Sequence, residues 1–198
     1  LGTCASLGLG AAASAAPVRL VDQAPITVSI VAPGVVLVDF GRVAFGNVRL
    51  SPPAGAAGKV TVHFGEALAG GRIDRAPPGT VRYGRVEVEL AGGKPVVVAP
   101  RADERNTRHP AAVRTPAEWG VVLPFRWVEV EGWPGPFHPG RVVRRAAFAA
   151  TWDDDAAAFA SSDAVLDRIW ELCRYSIKAT TFAGVYVDGD RERIAHEA

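Results

Sequence analysis

Residues 26–40 read ITVSIVAPGVVLVDF and decide the fold. Two runs rich in valine and isoleucine, residues 26–31 and 35–40, flank a Pro33-Gly34 pair. β-Branched residues favour extended backbone, and Pro and Gly between two such runs are typical of a chain reversal. The stretch therefore predicts two strands joined by a turn.

The same pattern continues toward the C-terminus. Many short segments are rich in β-branched residues and are separated by glycine- and proline-rich turns, which predicts an antiparallel, jelly-roll-like β-sandwich over residues 25–152. The charged residues 101–118 lack an apolar period and predict a long surface loop. The strand-like segments are KVTVHF (59–64), RVEVEL (85–90), PVVVAP (95–100), VVLPFRWVEVEGW (121–133) and RVVRRAAFAATW (141–152).

A helical pattern replaces the strand pattern after WDDDAAA, residues 152–158. Ser161, Ser162 and Asp163 are good N-cap residues, and the helix should end near Thr180 and Thr181. A second unit is therefore predicted from residue 153 to 198. One face of the helix is apolar, which predicts a surface that the sandwich leaves uncovered and a core role for its cysteine; that face holds Val165, Leu166, Ile169, Trp170, Cys173 and Ile177.

Composition excludes several functional classes. The 198 residues carry a formal net charge of +1, so no strong field indicates nucleic acid or an anionic membrane as a partner. Two cysteines, Cys4 and Cys173, exclude a disulfide scaffold. No phosphate loop, dinucleotide fingerprint or nucleophile elbow appears, and the histidines lack metal-ligand spacing, so no cofactor or metal is expected.

Residues 1–16 read LGTCASLGLGAAASAA, without charge. Small apolar residues followed by an alanine-rich stretch are typical of the end of a signal peptide, so residues 1–24 are interpreted as a tail of an exported, secreted or periplasmic protein. The stretch is too short to span a membrane. A lipid anchor at Cys4 is an alternative that the sequence leaves open.

Aromatic residues are concentrated between residues 119 and 133. Aromatic rings stack on sugars, so a carbohydrate-binding surface is one interpretation, and a sandwich core is the favoured one; the residues are Trp119, Phe125, Trp127 and Trp133.

The final segment holds the candidate chemistry. Residues 188–198 read DGDRERIAHEA, which places two aspartates, two glutamates and two arginines after the apolar run GVYV. Glycoside hydrolysis needs one carboxylic acid to protonate the leaving oxygen and a second carboxylate opposite it. A solvated ion-pair network is the alternative reading of the segment taken alone.

Stretches of both predicted units resemble the α-L-rhamnosidases of glycoside hydrolase family 78. HFGEALAGGRID (63–74), PPGTVRYGRVEVEL (77–90) and PFRWVEVEGWPG (124–135), in this order, are similar to the sandwich that precedes the barrel in these enzymes. FASSDAVLDRIWELCRYSIKATTF (159–182) with VDGDRERIAHEA (187–198) is similar to the start of their catalytic domain. The resemblance implies a sandwich followed by the first helix and acidic loop of a truncated (α/α)6 six-hairpin barrel.

The resemblance also implies roles for residues of the acidic loop. The family's motif reads Asp-Glu-Arg-Leu-Gly-Trp, so its general acid falls on Glu192 and its arginine on Arg193, while its substrate-binding aspartate falls on Asp188 or Asp190. The residue in the place of the motif's tryptophan is His196, also a candidate for binding the sugar. The motif's aspartate is replaced by arginine, and these departures put rhamnose specificity in doubt.

The enzyme so implied is an inverting exo-glycosidase whose base lies beyond Ala198, so this chain alone is expected to be inactive. Its partner would be an oligosaccharide or glycoside carrying α-L-rhamnose or a related side-chain sugar, and its oligomeric state stays open. One rival is a non-catalytic carbohydrate-binding or scaffolding sandwich, which an oligosaccharide-binding assay distinguishes. The other is a hydrolase for another sugar, such as an arabinosyl or uronic acid unit.

Overall fold

The computed structural model describes residues 18–102 and 115–181 of the chain. Within these described residues, ten strands precede one α-helix, which confirms the predicted mainly β class with a helix toward the C-terminus. The strands are β1 (Val18–Gln23), β2 (Thr27–Ala32), β3 (Val35–Leu50), β4 (Gly58–Gly65), β5 (Leu68–Ala69), β6 (Arg72–Ile73), β7 (Tyr83–Leu90), β8 (Val96–Val98), β9 (Leu123–Glu131) and β10 (Val142–Ala149), and the helix is α1 (Ala164–Thr180).

Eight strands form one antiparallel sheet in the order β1-β10-β3-β9-β4-β7, with β2 and β8 also paired to β3. The long strand β3 changes partners along its length: its first half pairs with β2, and its second half pairs with β10 and β8. The sheet therefore curls and encloses an apolar core, as a β-sandwich does. The short pair β5-β6 forms a separate hairpin.

The core comes from the inward positions of the alternating strands. Three buried rings, those of Phe40, Phe64 and Phe125, meet edge to face with centroids 5.1–6.2 Å apart. Trp133 is also buried and packs on Phe137, so the core interpretation holds for Phe125 and Trp133. Other core members are Val36, Val38, Val48, Leu50, Val60, Val62, Leu90, Val98, Val128, Val130 and Val142.

A bulge interrupts β3 where it lies against β9. The pairing passes from Asp39 opposite Trp127 to Ala44 opposite Phe125, so residues 40–43 have no ladder partner on β9. Gly41 has a φ of +79°, a conformation that glycine adopts without steric penalty, and its N–H donates to Asp39 Oδ1 at 2.6 Å. The bulge turns the strand between the two halves of the curled sheet.

Two expectations differ from the structure. Residues 18–23, assigned to the tail, form β1 and pair with β10 from Val18 opposite Ala149 onward. The partner strand is far away in the sequence, so no local pattern marked β1. Cys173, expected in a core, is exposed, because nothing in the described residues covers its face of α1.

Candidate functional site

All five residues assigned to the sugar site lie outside the described residues. They are Glu192, Asp188, Asp190, Arg193 and His196, and the described chain ends at Thr181. Thr181 follows α1 directly, and its N–H donates to Ile177 O at 3.0 Å. The described part of the candidate site is thus α1 and the surface on which α1 rests.

The sequence before α1 starts the helix. Asp163 is the N-cap, as predicted, and its Oδ1 accepts a hydrogen bond from Val165 N at 2.8 Å. Asp167, in the first turn, accepts from Ser161 N at 2.9 Å. An acceptor and a negative charge at this end satisfy free N–H groups and suit the helix dipole.

The apolar face of α1 is exposed, as the sequence predicted. No residue of α1 is buried, although the helix is 17 residues long. A row of large apolar side chains in water is uncommon and marks a surface that binds another element. The most exposed members are Val165 (50%), Leu166 (47%), Ile169 (50%), Leu172 (64%) and Ile177 (51%).

Polar contacts hold the other face of α1 to the sandwich. The Tyr175 hydroxyl donates to Val43 O in the β3 bulge at 2.9 Å, and the Arg42 guanidinium lies 4.8 Å from the centre of the Tyr175 ring. Further along, Lys178 Nζ donates to Asp154 Oδ2 at 2.6 Å and lies over the Phe148 ring. The hydrogen bond from Lys178 lowers the pKa of Asp154, so the Asp154 carboxylate stays ionised at neutral pH.

A cleft of about 860 Å³ lies between α1 and the sheet. On the sheet side, Arg126 binds both carboxylate oxygens of Asp39, at 2.8 and 2.9 Å, and its guanidinium covers the Trp127 ring at 4.3 Å. These hydrogen bonds lower the pKa of Asp39. Trp127 is thus at the surface of the cleft rather than in the core. The helix side is formed by Asp167, Arg168, Glu171, Leu172, Tyr175, Ser176, Ala179 and Thr180.

A second polar cluster lies where the β5-β6 hairpin covers β9. Glu129 is fully buried and accepts hydrogen bonds from Arg72, Arg75 and the Ile73 N–H. Burial alone would raise the pKa of Glu129, but the hydrogen bonds from Arg72 and Ile73 and the charge of Arg75 outweigh it and lower the pKa to about 2. Glu129 is therefore ionised and paired at neutral pH. Its neighbour Glu131 is partly exposed and shares both arginines.

His63 completes the cluster in a way that its sequence position did not show. Its Nδ1 lies 2.9 Å from the Tyr83 hydroxyl, and its Nε2 lies 3.5 Å from Glu131 Oε2. One ligand atom each from His63, Glu129 and Glu131 lies within 4.8 Å of the others, a spacing that suits a cation. Two arginines already neutralise the two carboxylates, however, and burial, together with the charge of Arg75, lowers the pKa of His63. The donor set favours a closed ion-pair network over a metal site.

Sequence reasoning missed the contacts that join the sheet, the hairpin and α1. Arg144 follows Val142 at an inward position of β10 and is only 1% exposed, a place where the alternation would call for an apolar residue. Glu129 alternates with the buried Val128 and Val130, so the pattern placed it outward, and only the hairpin buries it. Tyr175 carried no signal beyond its position on α1.

The sequence of residues 29–148 matches the profile of the family described as bacterial alpha-L-rhamnosidase concanavalin-like domain. The chain belongs to this rhamnosidase family. The match starts within β2 and ends in β10, so the curled sandwich is the family's domain.

Solved rhamnosidase structures share the fold. The alpha-L-rhamnosidase of Dictyoglumus thermophilum aligns over 92% of this chain with a TM-score of 0.66 and 15% identity. That of Streptomyces avermitilis, solved with L-rhamnose, aligns over 91% with a TM-score of 0.62 and 20% identity, and that of Aspergillus terreus over 91% with 0.62 and 17%. At these identities the likeness concerns the fold.

This chain spans less than a fifth of these structures, namely 19%, 16% and 19% of their lengths in the same order. A comparison with curated protein sequences found no match. Over residues 18–102 and 115–181, no helix is long and apolar enough to cross a membrane.

Proposed function

We propose that this chain is the N-terminal portion of an inverting exo-glycoside hydrolase that acts on α-L-rhamnosides or related side-chain sugars. The observation that carries the proposal is the combination of the family's sandwich with an attached helix, α1, that precedes the acidic segment, residues 188–198, in the sequence. The L-rhamnose in the Streptomyces avermitilis structure supports the choice of sugar.

In the proposed reaction, protonated Glu192 donates its proton to the glycosidic oxygen as the bond from that oxygen to the anomeric carbon breaks. A second carboxylate, supplied outside these 198 residues, removes a proton from the water that attacks the opposite face of the ring. The two carboxyl groups of an inverting enzyme lie roughly 6.5–9.5 Å apart, which leaves room for this water. Asp188 or Asp190, with Arg193 and His196, would hold the sugar hydroxyls.

The exposed face of α1 supports a larger catalytic unit. Five apolar side chains of α1 are about half exposed or more. Burying such a row would contribute on the order of 25 cal/mol for each Å² of apolar surface removed from water. We propose that further helices of a six-hairpin domain pack on this face and complete the pocket around Glu192.

The test compares Glu192→Gln with its matched control Glu197→Gln in the natural polypeptide that contains these residues. We expect Glu192→Gln to lower the hydrolysis of a rhamnosyl disaccharide by about 10²–10⁴-fold, because a positioned general acid contributes that much. Glu197→Gln should retain activity within about threefold, since the proposal gives that carboxylate no proton to transfer. Proton NMR of the first product should show β-L-rhamnose, the inverted anomer.

Equal activity of both variants would refute the assignment of Glu192. Retention of the α-anomer would refute the inverting mechanism. If the natural polypeptide hydrolyses no glycoside while the sandwich binds oligosaccharide in an affinity gel, the non-catalytic carbohydrate-binding module is the correct function. Glu192-dependent turnover by the isolated 198-residue chain would refute the proposal that the base lies elsewhere.

Two finer proposals concern sugar preference and location. His196→Trp restores the family's aromatic residue, so it should raise the preference for aryl α-L-rhamnoside over aryl arabinoside if this position sets specificity. We also propose that the protein is exported. Mass spectrometry of the secreted or periplasmic form should find a new N-terminus near residues 13–16, or a lipid on Cys4.

A further inference from the structure

The bulge of β3 depends on side chains from two other elements. Where residues 40–43 leave the β9 ladder, the carbonyls of Arg42 and Phe125 both accept hydrogen bonds from Arg144 Nη1, at 2.7 and 2.9 Å. The next carbonyl, that of Val43, accepts from the Tyr175 hydroxyl at 2.9 Å. Backbone carbonyls that lose a ladder partner need another donor, so Arg144 and Tyr175 together stabilise the bulge.

Arg144 forms a rigid base for this contact. Its guanidinium is buried between the rings of Phe40 and Phe125, at 4.9 and 5.7 Å, and its Nε donates to Gln23 Oε1 at 2.8 Å. Burial lowers the pKa of Arg144 to about 10, which leaves it protonated at neutral pH. The Tyr175 hydroxyl lies against this guanidinium, and burial raises the pKa of Tyr175. The Tyr175 hydroxyl therefore contacts two groups that the fold holds in place, the Arg144 guanidinium and the Val43 carbonyl.

The remaining polar contacts of α1 with the preceding chain are weaker. Lys178 and Arg174 both reach Asp154, whose side chain is 50% exposed. Exposed ion pairs contribute little to stability because water and salt screen them. Lys178 also lies over the Phe148 ring of β10, whereas Tyr175 donates a hydrogen bond directly to a backbone carbonyl of the sheet.

We infer that Tyr175 is a positioning residue: through its hydrogen bond to the β3 bulge it fixes α1, and general acid catalysis by Glu192 depends on that attachment. The inference rests on the proposed function only in its second half, because the attachment of α1 is independent of any reaction. Tyr175 lies one and a half turns before the end of α1, so a tilt of the helix about this point would displace its last residue, Thr180.

The first test measures the attachment without activity. Tyr175→Phe removes only the hydroxyl, and Ser176→Ala is the matched control, because the Ser176 hydroxyl donates within α1 to Leu172 O. In hydrogen exchange of the 198-residue chain, we expect the amides of α1 to exchange about fivefold faster in Tyr175→Phe, the factor that one hydrogen bond is worth. The exchange rates of the amides of β4 and β9 should be the same in Tyr175→Phe as in the wild type. Those of α1 should be the same in Ser176→Ala as in the wild type.

The second test measures the effect on general acid catalysis in the natural polypeptide. Proton donation matters most for poor leaving groups, so a displaced acid should slow methyl α-L-rhamnoside about tenfold and 2,4-dinitrophenyl α-L-rhamnoside less than about twofold. A variant that was merely less folded would lose both activities equally. The ratio of the two losses thus separates positioning from stability.

Each outcome decides one half of the inference. Unchanged exchange of α1 in Tyr175→Phe would overturn the attachment. Faster exchange with equal losses on both substrates would overturn the link to the acid. If the natural polypeptide hydrolyses neither glycoside, the proposed function fails, while the exchange experiment still supports or overturns the attachment.

Discussion

Replacing Glu129 with glutamine isolates the energy of the buried ion-pair network. The change keeps the size of the side chain and removes the charge that Arg72, Arg75 and the Ile73 N–H bind. The pKa of Glu129 falls from 4.5 to about 2 on folding. At about 1.4 kcal/mol for each pH unit, the ionised form contributes about 3 kcal/mol to the free energy of unfolding at pH 7.

The direction of the pKa shift of Glu129 determines the pH range over which the ion pairs stabilise the fold. Because the folded-state pKa is depressed, this contribution is present above pH 4.5 and is lost as the pH falls toward 2. The linkage relation leaves less than half of it, about 1 kcal/mol, at pH 3. We therefore expect Glu129→Gln to be about 3 kcal/mol less stable than the wild type at pH 7 and to approach it below pH 3.

Urea unfolding followed by tryptophan fluorescence, repeated from pH 7 to pH 3, measures the difference. The matched control is Glu131→Gln, which removes a carboxylate that touches the same arginines but is 39% exposed, so its loss should stay below about 1 kcal/mol. Equal losses for Glu129→Gln and Glu131→Gln at pH 7, or a Glu129→Gln deficit that does not shrink at low pH, would refute the reasoning.

Two further predictions concern the sheet and the start of α1. Gly46→Ala should lower the free energy of unfolding by about 1–3 kcal/mol in urea titration, because its Cβ would lie 2.6 Å from Arg145 O, whereas Gly84→Ala, with nothing within 4 Å, should be neutral. Asp163→Ala removes the acceptor for Val165 N and should destabilise the first turn of α1 by about 1 kcal/mol, seen as faster amide exchange there with an unchanged Tm of the sandwich; a lower sandwich Tm would contradict it.

Local patterns predicted most strands and the helix, and failed where distant segments meet. Alternation of valines identified β2, β4, β7 and β9, and Asp163 marked the start of α1. The sequence analysis ended this strand at residue 40, because the glycines at 41 and 46 look like strand breaks. In the structure β3 continues to Leu50: Gly41 forms a bulge, and Gly46 allows a close contact with the neighbouring strand.

The candidate site was less accessible to the same reasoning. The acidic segment was found through its resemblance to a family motif, and its residues remain predictions. The roles of Arg144, Glu129 and Tyr175 arise from partners on other elements. The alternation in RVVRRAAF and VEVE is otherwise correct, but it does not show that Arg144 and Glu129 are buried. The burial of Arg144 depends on the β3 bulge and that of Glu129 on the β5-β6 hairpin, and both lie elsewhere in the chain.

The pairing of β1 with β10 also sets when the sheet can close. Gln23 and Arg144, joined across this pair, are 121 residues apart in the sequence. A ribosome adds about 5–20 residues per second, so β1 waits on the order of ten seconds for its partner. During that time the β10 strand is missing, so β1 has no partner and the sheet cannot close. An open chain is the form that a translocation channel accepts, so the late closure of this sheet is compatible with the export that we propose.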